Sequence, residues 1–251
     1  MCKLLICLLL YWPIVSNSQE IKIAYNNSWS PYSSGINDSD GILVALVEHI
    51  IETKLNTTVV NTGFPWKRAQ LMVHNGSYDA YITAATEERL KFTYKSSEIV
   101  YQIKLKSFIS GSSPIREQLL RLNTPEDLKP LRVCEILGNG WGENFYKTHN
   151  ISYHTVKNLQ ACIGLAAKNR VDIFIHSESA AYYEISKMGL SGKIDTIPKV
   201  FGQMDFYLLL SKKSDFGKEF LAKFNDAVRT MKEDGSYQDL IEKLKLRYAR
   251  F

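Results

Sequence analysis

Residues 76–101 read GSYDAYITAATEERLKFTYKSSEIVY. From Asp79 to Thr83 small and aromatic residues alternate, the period-two pattern of a strand, and the pattern then breaks into a polar turn that carries Arg89. A strand ending in Thr83-Ala84-Ala85-Thr86 leaves backbone N–H groups and two hydroxyls beside a guanidinium. Such a set can fork onto a carboxylate with charge-assisted bonds, so Arg89, Thr83 and Thr86 read as half of an anion-recognition site. The alternative is that Arg89 pairs with Glu87 or Glu88 on a solvated turn, where ion pairs are common and weak.

The order Gly-x-Tyr-Asp, apolar strand, Thr-x-x-Arg and a Ser-rich tract ending in Tyr101 resembles the bacterial extracellular solute-binding proteins of family 3, the periplasmic binding proteins of polar amino-acid uptake systems. The resemblance implies an α/β, two-lobed, type II periplasmic binding protein-like fold with a ligand cleft between the lobes. It also implies that Arg89 holds a ligand's α-carboxylate. Later segments match as well, so it covers nearly all of the chain after residue 18.

At the start, MCKLLICLLLYWPIVSNS has one Lys, an apolar run from Leu4 to Trp12 and small residues at Ser16 and Ser18. This is the pattern of an export signal cleaved after Ser18, and the run is too short to span a bilayer. The expected location is the periplasm. Cys7 lacks the small-residue context of a lipid-attachment site. The chain has 251 residues and a net charge of +5, one less without Lys3, and no Lys/Arg cluster interleaved with aromatics, which argues against nucleic acid as a partner. Cys134 and Cys162 remain after the signal and are read either as a disulfide, in an oxidising compartment, or as two buried thiols.

Working outward, Ile21 to Tyr25 reads as a strand that enters the loop Asn26-Asn27-Ser28-Trp29-Ser30-Pro31-Tyr32. In the family an aromatic on this loop stacks on the ligand, and Tyr32 is the better match, Trp29 the second; the alternative is that both only cover the end of the sheet. Ile42, Leu43, Leu46, Val47, Ile50 and Ile51 repeat at helical spacing, with Asp40 as the expected N-cap. The family usually has acids in the first turns of this helix, where Val44 and Ala45 stand here. Next, Thr57 to Thr62 reads as a strand running into Phe64-Pro65-Trp66-Lys67-Arg68, the corner of an amphipathic helix whose N-terminus attracts anions. Trp66 matches the family's Trp at this corner. Arg68 is either a ligand contact or a surface residue.

Ser110-Gly111-Ser112-Ser113-Pro114 is the expected first crossover between lobes, and Thr124-Pro125-Glu126-Asp127 reads as a capped turn opening the second. There strands and helices alternate, implying a parallel-rich sheet. The turn Gly138-Asn139-Gly140-Trp141-Gly142 is no nucleotide motif. The family has hydroxyls where Asn139 and Gly140 stand, so only amides remain to finish holding a carboxylate. Amino-acid binders also have an Asp for the ligand's ammonium, at the position of Ser177. A hydroxyl cannot neutralise an ammonium, and an unpaired charge there would cost several kcal/mol. Either Glu178 moves in, or the ligand lacks an ordinary α-ammonium. His176 precedes this site without a second metal ligand nearby. Ser177 also reads as the N-cap of a helix through Ala180, Ala181, Tyr182 and Tyr183.

These readings give residues 19–110 and 200–251 as lobe 1 and 111–199 as lobe 2, with the tail from Phe220 onward helical and Ser236 capping the last helix. The expected function is capture, by hinge closure, of a small polar solute for an ABC-type transporter, by a monomer with no catalysis, cofactor or metal. An exported dehydratase on the same scaffold, with His176 or Glu178 as its acid or base, and a soluble sensory module are the alternatives.

Overall fold

The computed structural model describes residues 20–36 and 38–248, so the expected export signal lies outside the described residues. Strands and helices alternate along the chain, and most strands join one mixed sheet. Its order is Thr58–Phe64, Glu20–Asn26, Ala80–Ala84, Gln203–Ser211, Tyr101–Ser110, Ile173–Ser177, Val133–Ile136, Tyr153–Val156. The fold is α/β and two-lobed, and the two long strands in mid-sheet join the lobes.

Tyr101–Ser110 pairs antiparallel with Gln203–Ser211 as far as Lys104. From Leu105 on it pairs with Ile173–Ser177 instead, and near its end with Ile194–Thr196. The exchange falls beside Gly202, whose carbonyl accepts from the Leu105 N–H at 3.3 Å. The strand thus changes partner internally, ahead of the tract from Ser110 to Pro114. A strand that swaps neighbours without unpairing leaves no backbone polar group unsatisfied, which lets two short segments carry a bend.

In the first lobe Glu20–Asn26 runs parallel to Thr58–Phe64, and helix Ile42–Leu55 packs against the two C-terminal helices, Gly217–Glu233 and Ser236–Tyr248. Both ends of the described chain therefore build this lobe. The six apolar positions read from the sequence are buried, and so is Val44 at 1% exposure, which leaves no room there for a family-type acid. Asp40 is not the cap. Gly41 holds that position at φ 141°, because an added Cβ would lie 2.5 Å from the Tyr32 carbonyl oxygen. The Ile42 and Leu43 N–H groups donate to the carbonyls of Pro31 and Tyr32, which satisfies donors a side-chain cap would otherwise serve and fixes the aromatic loop.

In the second lobe Val133–Ile136 runs parallel to Tyr153–Val156 and to Ile173–Ser177, under helices Gly140–Thr148, Leu159–Ala167 and Glu178–Lys187. Thr124 and Asp127 form a reciprocal capping box, on a 3₁₀ turn. Cys134 and Cys162 are disulfide-bonded with Cα atoms 5.8 Å apart, which ties the strand to the helix beside it. The last helix corrects an expectation: the Ser236 hydroxyl is buried without a partner, and Asp234 instead accepts from the Ser236 N–H at 2.9 Å.

Candidate ligand-binding cleft

A cavity of about 330 Å³ lies between the lobes, lined from the first by Trp29, Trp66, Thr83 and Arg89 and from the second by Asn139, Trp141 and His176. It sits where strands Glu20–Asn26, Ala80–Ala84, Val133–Ile136 and Tyr153–Val156 end, the place where open α/β sheets leave room for ligands.

Arg89 is 4% exposed and makes no ion pair with a carboxylate among the described residues, so it is not the solvated turn residue of the alternative reading. Its Nη1 donates to Thr83 Oγ1 at 3.1 Å and to the Ala84 carbonyl at 2.8 Å. Its Nη2 donates to the Gly138 carbonyl at 3.2 Å and Gln70 Oε1 at 3.5 Å. Burial lowers its pKa, opposed by the fields of Tyr81, Glu143 and Glu88. Thr86 does not reach the guanidinium. Its hydroxyl accepts from the Arg89 backbone N–H at 3.4 Å and caps the short helix Glu87–Leu90. Trp66 lies under the guanidinium, 5.3 Å from ring centroid to Cζ, and its Nε1 donates to the same Gly138 carbonyl at 3.0 Å. One carbonyl of the second lobe therefore meets two donors of the first.

The glycine turn that brings this carbonyl in is held from below. The Gly138 N–H donates to Glu143 Oε1 at 2.8 Å, and Asn139 Nδ2 donates to Glu135 Oε1 at 2.9 Å. Glu135 is 2% exposed, and burial pushes its carboxyl up to about 8, so at neutral pH it is mostly protonated. Gly142 leaves space for it: an added Cβ would lie 1.7 Å from Glu135 Oε2. Gly140 rests on the first lobe, since its Cβ would come 2.7 Å from Thr86 Cγ2 and 3.2 Å from Arg89 Nη2.

Ser177 and Tyr32 stand beside His176 and Trp29 behind the wall, and neither lines the cavity itself. The Ser177 hydroxyl donates to the Tyr32 hydroxyl at 2.9 Å, across the lobes, and accepts from the Ala180 N–H at 3.5 Å as the expected cap. Tyr32 is 4% exposed, packed against Trp29 and Tyr101 at centroid distances of 4.6 and 5.7 Å, and burial raises its pKa. Trp29 lines the cavity and Tyr32 lies behind it, the reverse of their expected ranking. Glu178 does not move in: it points away from the cavity and pairs with Lys106 at 2.5 Å. Arg68 is also outside, exposed and 5.5 Å over the Phe64 ring.

Sequence reading missed several lining residues. Lys157 follows strand Tyr153–Val156 and precedes the helix cap Asn158, so the rule that ligands gather at strand C-termini was the available signal. Trp141 is the second residue of helix Gly140–Thr148, its indole against Gly202 where the lobes join. Tyr25 and Phe206 complete the aromatic wall. His176, discounted as a lone histidine, also lines the cavity at 7% exposure; its Nδ1 has no partner, and burial lowers its pKa to about 4. No group of three or more His, Cys, Asp or Glu among the described residues is arranged to hold a metal ion.

A family model described as bacterial extracellular solute-binding proteins, family 3, matches residues 21–245. The probable amino-acid-binding protein YxeM of Bacillus subtilis (strain 168) is 25% identical over 163 residues, 64% of this chain but only 58% of its own length. An ancestral arginine-binding protein bound to arginine has a TM-score of 0.70 at 19% identity, covering 90% of this chain and 97% of its own. A histidine kinase sensor domain with similarity to periplasmic binding proteins reaches 0.73 at 16% identity, covering 90% and 95%. At such identities the structural likeness speaks to fold.

Proposed function

The chain belongs to the bacterial extracellular solute-binding proteins, family 3, and we propose that it is an exported, non-catalytic monomer that closes its two lobes on a small polar solute for delivery to an ABC-type membrane transporter. The solute is an amino acid or a related carboxylate. Residues 1–18 would be removed on export to the periplasm, leaving residues 19–110 and 200–251 as one lobe and 111–199 as the other.

The observation that carries this reading is Arg89, a buried cation without a carboxylate partner among the described residues, on a cavity wall between two lobes. Buried charges are normally paired. Here the Gly138 carbonyl serves as a neutral acceptor from the opposite lobe. A ligand carboxylate that takes its place exchanges a neutral acceptor for a charged one, and charge-assisted bonds are roughly twice as strong. The bonds from Arg89 and Trp66 to Gly138, and from Ser177 to Tyr32, all cross between lobes, so they form on closure and break on opening. The strand pair that exchanges partners at Lys104 and Leu105 is the natural hinge.

A dehydratase would need an acid or base at the reacting centre. Of the two candidates, Glu178 is turned outward onto Lys106, and His176 alone lines the cavity. Incubation with prephenate or arogenate is expected to give no product. The direct test is a thermal-shift screen across amino acids, peptides and organic acids, repeated with Arg89→Ala. Hits that stabilise the wild type and not the variant support the reading, while hits that stabilise both equally overturn it.

A further inference from the structure

The cavity wall has a one-sided charge. Among the described residues that line it, Arg89 and Lys157 are cations and none is Asp or Glu. His176 adds no charge at neutral pH, because burial holds the imidazole deprotonated down to about pH 4. Lys157 is exposed and makes no hydrogen bond or ion pair with a described residue, so its ammonium is free to meet an incoming anion.

Nothing behind the wall restores the balance. Ser177 is fully buried and its hydroxyl is bonded to Tyr32, so the position that the resemblance assigns to an ammonium partner holds two neutral groups satisfying each other. Glu178, the nearest acid in sequence, is engaged by Lys106 outside the cavity. An ammonium brought into the cavity would lose its water and meet aromatic faces but no carboxylate among the described lining residues, so its charge would be left without an anionic partner, which disfavours binding. A carboxylate would find the reverse.

The remaining wall is aromatic. Trp29, Trp66 and Trp141 all face the cavity, and Tyr25 and Phe206 stand beside them. Trp29 and Phe206 are stacked at 5.4 Å with planes 28° apart. Such surfaces suit a flat or apolar ligand body, and the volume of about 330 Å³ is at the small end of ligand cavities.

We propose that the cleft takes an organic acid with a flat or apolar body and no α-ammonium, its carboxylate drawn by Arg89 and Lys157 and its body set against Trp29 and Trp141. This rests on the capture function proposed above. It narrows that function from amino acids or carboxylates to the acids, and it gives Lys157 a part in ligand choice.

The test uses pairs that differ only by the amine: 3-phenylpropionate with L-phenylalanine, 4-methylpentanoate with L-leucine, and glutarate with L-glutamate. Binding to the exported chain is read by tryptophan emission, because every tryptophan after Trp12 lines the cavity. The expected result is that the acid of at least one pair binds tenfold or more tightly than its amino acid, and that Lys157→Ala weakens that acid about tenfold. An amino acid that binds as tightly as its acid in every pair to which the protein responds overturns the inference and leaves the capture reading standing. An unchanged affinity in Lys157→Ala removes that residue's part. No response to any member of any pair overturns the inference, and the capture reading then stands or falls on the broader screen described above.

Discussion

At one contact between the lobes Arg89 is surrounded by four acceptors, and one of them belongs to the opposite lobe. At the other, Ser177 and Tyr32 meet through a single bond between neutral hydroxyls. Both contacts join the two lobes. Only the first holds a charge whose burial costs energy unless a strong acceptor compensates it, and desolvation lowers its pKa accordingly. The difference teaches that bridging the lobes and reading a ligand's charge are separable tasks: the neutral contact can do the first, and the Arg89 contact can do both.

The largest expected effect therefore falls at the charged contact. Arg89→Ala should cost about 2 to 5 kcal/mol of ligand binding, the range for truncating one side of a buried charge pair. Lysine should restore little, because a point charge cannot reach several acceptors in the plane of a guanidinium. Calorimetric titration of both variants checks this, and near-wild-type affinity in Arg89→Lys would show that charge alone suffices.

The disulfide tests whether the second lobe must be rigid to present both its contacts. Cys134 lies two residues before Ile136 at the approach to the glycine turn, and Cys162 is on the helix that follows Lys157. With the cysteines 28 positions apart in sequence, replacing both by serine should destabilise the protein by about 3.5 kcal/mol on the chain-entropy estimate. Urea unfolding measures it. Thiol titration of the denatured, unreduced protein should find no free thiol at either position.

His176, one residue before Ser177, supplies a pH handle. Its folded pKa of about 4 lies below the ordinary 6.5, so the unfolded chain binds the proton more readily. Stability from the buried neutral ring is fully present above pH 6.5 and is lost as pH falls toward 4, by up to about 3 kcal/mol. His176→Asn should flatten unfolding free energy over that window; an unchanged slope would mean that the ring is not buried and neutral. Glu178→Gln should do least. An ion pair with Lys106 that is about one-third exposed on both sides contributes roughly 0 to 1 kcal/mol to stability, and ligand affinity should not change.

Much of this was legible in the sequence where local pattern and local chemistry coincide. The apolar spacing of helix Ile42–Leu55 and the Ser177 cap needed no knowledge of distant partners. The Thr83–Arg89 bond spans six residues of one turn. What was not legible depends on the meeting of segments far apart. Gly138 reaches Arg89 across 49 positions, and Tyr32 meets Ser177 across 145. Glu178 was a reasonable candidate because it is adjacent to Ser177, but its partner is Lys106, 72 positions away in sequence, which no local pattern announces. Asp40 and Ser236 were plausible caps from residue type alone, and lost to backbone carbonyls and to Asp234. Lys157 is a single residue between a strand and a helix, and Trp141 stands among glycines in the first turn of its helix, so neither carried a periodic signal.

The contrast between the two contacts is tested most directly by giving the neutral one a charge. Aspartate caps helices about as well as serine and can accept from the Tyr32 hydroxyl, so Ser177→Asp keeps both bonds at this buried position, and urea unfolding checks that the variant folds. The quantity to measure by calorimetry is the ratio of affinities for L-phenylalanine and 3-phenylpropionate in the wild type and in Ser177→Asp. The account predicts a ratio that favours the acid in the wild type and moves at least tenfold, about 1.4 kcal/mol, toward the amino acid in the variant. A wild type that already prefers L-phenylalanine, or a ratio that the aspartate leaves unmoved, would contradict it.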